Sequence, residues 1–110
     1  MQEEFERNII VSSAPKLNSF DLARVNSALN ASFDKIQRVV DGEMRLLVHF
    51  KESRASGRRE LYTVQLKLVF PRKTVVAQEE NWSPVVAVQN ALHSLERETI
   101  EAVKRMQEKR

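Results

Sequence analysis

The chain contains no cysteine, only two glycines and three prolines, and few aromatics: five phenylalanines, one tyrosine and one tryptophan in 110 residues. Without cysteine there is no disulfide, no thiolate metal site and no cysteine nucleophile, a composition compatible with a reducing compartment. The glycines, Gly42 and Gly57, stand too far apart to build a phosphate-cradling loop of the GxGxxG or P-loop type. No apolar run approaches the roughly 18 residues a membrane helix needs. The opening Gln2-Glu3-Glu4-Phe5-Glu6 has neither the basic start nor the apolar stretch of a secretory signal, so a cytoplasmic protein is expected.

What is present suits one small folded unit. Hydrophobic residues make up 42% and charged residues 30%, enough apolar material for one core and too little chain for two. The net charge is +3, but it is unevenly spread. Between Arg45 and Lys73 lie eight basic and two acidic residues, leaving +6, while the remainder carries −3. Such asymmetry fits a surface that meets a polyanion, and it equally fits ordinary solubilising loop charge.

Residues Asn8 to Ser13 form a β-branched run that Ala14-Pro15-Lys16 interrupts, which predicts a first strand. After Asn18 and Ser19, either of which can cap a helix, Leu22, Val25, Leu29, Phe33, Ile36 and Val40 recur at spacings of 3, 4, 4, 3 and 4. This predicts a helix with one buried stripe, ended by Asp41 and Gly42. From Met44 the period becomes two, with Met44, Leu46, Val48 and Phe50 on one face and Arg45, Leu47, His49 and Lys51 on the other. Glu52 to Arg59 reads as a polar connection. Tyr62, Val64, Leu66, Leu68 and Phe70 then alternate toward the core until Pro71, and Lys73 to Gln78 follows as a fourth strand. Ser83-Pro84 is a helix start, with serine as cap and proline at the first position. Val85, Val88, Leu92, Leu95, Thr99, Ala102 and Met106 continue that helix almost to the end.

The expected fold class is therefore α+β in the order β-α-β-β-β-α: one four-stranded, antiparallel sheet with two helices packed on one face. The other face is left to water or a partner. Residues 1–7 read as an N-terminal extension without fixed structure, and 8–110 as a single domain.

A search for chemistry finds no catalytic residue. The two histidines, His49 and His93, sit on different elements with no carboxylate at ligand spacing, so neither a metal nor another cofactor is indicated. Paired acids such as Glu79-Glu80 lack the apolar surroundings that would raise a pKa. The binding signal is stronger. His93, Arg97 and Lys104, at intervals of 4 and 7, lie along one line of the second helix, where they could track phosphates or simply form a solvated face. Arg54, Arg58, Arg59, Arg72 and Lys73 occupy connections that could extend a basic patch. Trp82 could stack on a base or cover the edge of the core.

The last third of the chain resembles the ribosome hibernation-promoting factors, also called ribosome-associated inhibitor or sigma-factor modulation proteins. Their second helix reads as an acidic cap, an aromatic and Ala-Ile, then Lys-Leu-x-Arg-Gln-Leu. Here Ser83-Pro84-Val85-Val86-Ala87-Val88 is followed six residues later by Leu95-Glu96-Arg97-Glu98. Arg59 to Phe70 is similar to the family's basic-started third strand, and Lys35-Ile36 resembles a Lys-Leu late in its first helix. Ser94 and Ser32 stand where the family usually has lysine, and Val85 where it has an aromatic.

The resemblance implies the same fold and a cytoplasmic translation inhibitor induced in stress. Its implied partner is the small ribosomal subunit, held through ribosomal RNA near the decoding region. It implies RNA contacts at Lys35, Arg97 and Lys104. The chain is similar to the short form, without the dimerisation domain of long members, and self-association is not indicated. Two other readings stay open: a protein-interaction or dimerisation module using Leu47 and Val69 on the outward face, and a double-stranded-RNA-binding domain.

Overall fold

A computed structural model describes residues 8–13, 16–56 and 59–108. The expected extension at residues 1–7 lies outside the described residues, as does Arg58. The elements are β1 (Ile9–Ser12), α1 (Ser19–Gln37), β2 (Arg45–Ser56), β3 (Arg59–Phe70), β4 (Lys73–Asn81) and α2 (Pro84–Glu108). The order β-α-β-β-β-α and the four strands are as the periodicities predict.

The sheet has strand order β1-β2-β3-β4 and is mixed rather than antiparallel throughout. β2, β3 and β4 form an antiparallel meander, whereas β1 runs parallel to β2 with Ile9 opposite Leu46. The reason lies in the connection. A whole helix separates β1 from β2, and a strand that returns through a helix packed on the sheet re-enters in the same direction. Alternation along a strand reports which face is buried and carries no information about direction.

Both helix starts follow their capping chemistry. Asn18 Oδ1 accepts the backbone N–H of Asp21 at 2.7 Å, and Ser83 Oγ accepts that of Val86 at 3.2 Å. α1 ends at Gln37, before the predicted Asp41-Gly42. The carbonyls that follow are held by the Gln37 amide, which donates to Val40 O and Gly42 O at 3.3 and 3.2 Å. Val40 therefore reaches the core from outside the helix. Gly42 has φ +99, and a Cβ there would meet Pro71 Cγ at 3.0 Å, so both backbone conformation and space call for glycine.

The core lies between the sheet and the two helices. Leu46, Val48, Val64, Leu66 and Leu68 meet Val88, Ala91, Leu92 and Leu95 of α2 and Val25, Leu29, Phe33 and Ile36 of α1 in one buried cluster. Leu22, expected in this stripe, is exposed, and the buried stripe of α1 begins at Val25. The β2–β3 hairpin is longer than the alternation implies, with pairing continuing through Ser53–Leu61 to Ser56–Arg59 and a register shift between Arg54 and Ser56. Past Phe50 the cover thins: Glu52 is exposed and Tyr62 half-buried. Backbone pairing proceeds there without an apolar face, so no alternation reveals it. The Tyr62 hydroxyl donates to Glu60 Oε1 at 3.1 Å. Burial first, then this bond and the nearby carboxylates, raise its pKa above the usual tyrosine value.

Candidate nucleic-acid interface

The outer surface of the helix layer carries three of the eight predicted cations, Lys35, Arg97 and Lys104. α1 and α2 lie side by side, with Ser32 and Lys35 of one meeting Glu96 of the other. On α2, the exposed positions Val86, His93, Arg97, Ile100 and Lys104 recur at intervals of 7, 4, 3 and 4, which makes one line pointing away from the sheet. Arg97 and Lys104 are about 10 Å apart along the axis. On α1 and its C-cap, Arg24, Ala31, Lys35 and Arg38 are exposed at intervals of 7, 4 and 3 and form the neighbouring line. Arg24 and Arg38 are therefore surface partners of Lys35 that the sequence reading did not single out. Their helical spacing to Lys35 was the signal available.

These cations differ in how far they are already satisfied. Lys35 Nζ lies 3.5 Å from Glu96 Oε1 across the helix seam. Glu96 also accepts the Ser32 hydroxyl, and its side chain is only 14% exposed. Ser32 is buried, so the position where the family carries lysine is here part of the seam and not of the outer surface. Arg105 pairs with Glu101 at 3.6 Å along the β4 side of α2. Among the described residues, Arg97, Lys104 and Arg38 have no ion-pair partner.

The loop cations divide into two groups. Arg72 forms with Pro71 the two-residue turn between β3 and β4, and Lys73 opens β4 opposite Phe70. Arg72 has φ +73, a conformation that costs a side-chain-bearing residue about 1 kcal/mol and that glycine adopts freely. Arg72 shares a cleft of about 550 Å³ with Arg38, Val103, Met106 and Gln107, so the β3–β4 turn lies at the C-terminal ends of both helices. Arg54 in β2 and Arg59 in β3 belong to the opposite end of the hairpin. The 12 residues of β3 separate that end from Arg72 by about 35 Å. The structure thus brings Lys35, Arg97, Lys104, Arg72 and Lys73 toward one side and end of the molecule. It does not bring Arg54 and Arg59 there.

Trp82, immediately before the Ser83 cap, is 40% exposed at the start of α2. Val85, where the family has an aromatic, is buried in the core.

Comparison with known proteins identifies the family and the fold. A family model described as "Hibernation factor Hib, C-terminal domain" matches residues 8–110. No curated protein matches the chain significantly. Among solved structures, the N-terminal domain of Thermus thermophilus Protein Y superposes with a TM-score of 0.61 at 17% identity, covering 84% of this chain and 93% of that one. A ribosomal subunit interface protein from Coxiella burnetii gives 0.56 at 16% identity, covering 86% and 94%. At such identities the two structures speak for the fold.

Proposed function

We propose, since the chain belongs to the family of the hibernation factor Hib C-terminal domain, that it is a ribosome-associated hibernation factor and that it grips small-subunit ribosomal RNA near the decoding region. The grip is electrostatic. The observation that carries this reading is the shared outer surface of the helix layer, where Lys35, Arg38, Arg97 and Lys104 are all exposed and the carboxylate between the helices, Glu96, is turned into the seam. A phosphate backbone laid over the two lines replaces water and counterions on these side chains, which makes binding fall steeply with salt. Arg72 and Lys73 extend the contact at one end. Because Arg54 and Arg59 belong to the far end of the hairpin, the proposed RNA-binding surface centres on the helices, with those two peripheral to it. Such a protein acts where ribosomes are, in the cytoplasm, and works by occupancy rather than by a reaction.

Sedimentation with purified small subunits tests the reading. The protein is expected to travel with the subunits at low salt and to be released at high salt. The double variant Arg97→Glu, Lys104→Glu is expected to stay at the top of the gradient under both conditions, with unchanged folding by circular dichroism. Absence of the unmodified protein from the subunit fraction at low salt sinks the proposal. The alternative of a protein-interaction module draws on Leu47 and Val69, which are half-buried, with Ile10 and Val76 exposed on the same face.

A further inference from the structure

The four strands leave a second surface, the sheet face opposite the helices, and register defines its composition. Three rows cross it from β2 to β4: Leu47–Lys67–Val76, His49–Gln65–Gln78 and Lys51–Thr63–Glu80, with Arg45–Val69–Thr74 as a fourth beside the β3–β4 turn. Within these rows stand three cations, Arg45, Lys51 and Lys67, and a single carboxylate, Glu80. Arg45 and Lys67 are diagonal neighbours across β2 and β3, about 7 Å apart. Like charges so placed repel each other, and among the described residues neither has an ion-pair partner. Glu43 stands at the rim of the groove that Arg45 enters.

No helix end accounts for these charges, since β-sheets carry only small net dipoles. The face also carries apolar side chains, Ile10, Leu47, Val69 and Val76, between its cations. The row between the lysines, His49, Gln65 and Gln78, is exposed and consists of hydrogen-bonding groups without an aromatic side chain. Cations spaced about this polar row, with only small aliphatic side chains among them, suit phosphate and ribose oxygens. The face does not suit stacked bases, for which a platform of aromatic rings is needed.

We propose that this open face is a second RNA-backbone contact, so that the molecule is held between two RNA segments, one over the helices and one over the sheet. The inference rests on the ribosomal reading above and extends it to the partner of the opposite face. The two segments would be separated by the thickness of one helix layer and one sheet, about 20 Å with side chains.

The test compares Arg45→Gln, Lys51→Gln, Lys67→Gln with the unmodified protein, in equilibrium binding to purified small subunits across a salt series. If each cation meets one phosphate, the slope of log affinity against log salt falls by about 2 to 3. A photo-crosslinker at Gln65, which needs no charge change, is expected to attach to ribosomal RNA. An unchanged slope together with no RNA adduct overturns the inference while leaving the helix-face reading intact. An adduct to a ribosomal protein instead overturns it in favour of a protein contact on this face. Failure of the unmodified protein to bind subunits removes the underlying reading, a result visible before any variant is compared.

Discussion

On β3, Leu66 and Lys67 are neighbours in sequence and opposites in circumstance. Leu66 is wholly enclosed under the helices, whereas Lys67 stands in water on the far side of the same sheet. One residue of translation along a strand exchanges these roles. The helix side is bound by packing, which limits what can vary there; the open side is free of that constraint, so its charges can be set by what it meets. The helix pair shows the same division at finer scale, because Glu96 and Ser32 in the seam serve packing while Arg97, one residue on, faces outward.

The comparison can be broken most directly at that pair of neighbours. Leu66→Ala is expected to lower stability by about 3 kcal/mol, since its cavity cannot collapse among fully buried neighbours. Lys67→Ala is expected to stay within about 0.5 kcal/mol. Urea denaturation of both variants measures the difference, and equal losses would show that the open face is covered in solution.

Polar groups on the enclosed side sharpen the contrast. Glu96→Gln keeps an acceptor for Ser32 but removes the charge that holds Lys35. Stability is expected to fall by about 1 kcal/mol, and affinity for small subunits to rise as Lys35 is released. Tighter binding despite lower stability is the signature to seek in paired denaturation and sedimentation experiments. A smaller effect of opposite sign is expected at Thr99, fully buried with an Oγ1 that has no hydrogen-bond partner. Thr99→Val removes that unsatisfied group without changing shape, and thermal melting is expected to show a gain of up to about 1 kcal/mol.

Much of this architecture is legible in the amino acids because burial and period are local. Val25, Leu29, Phe33 and Ile36 disclose α1, Ser83-Pro84 discloses the start of α2, and Val64 to Phe70 disclose β3 and its inner face. The parallel pairing of β1 is not local, since it depends on the return path through α1. The extra length of the β2–β3 hairpin escapes because residues such as Glu52 and Glu60 pair through their backbone with no core to select their side chains. For the candidate interface, the line through His93, Arg97 and Lys104 follows from helical spacing alone. The neutralising contact between Lys35 and Glu96 joins positions 61 residues apart and requires the packed helices. That Arg59 and Arg72 stand at opposite ends of β3 follows from the predicted strand, but which end lies beside the helix C-termini requires the packed fold.

The four-residue β1 has a consequence for how the molecule keeps to itself. It is the only described strand beside β2 on that edge, and its route through α1 makes its pairing the longest-range event in assembling the sheet, favouring late docking and early release. Its departure would bare a row of backbone donors and acceptors on β2, the kind of edge along which separate chains zip together. The short strand thus works as a guard rail, covering the backbone edge of β2 that would otherwise be open to another chain.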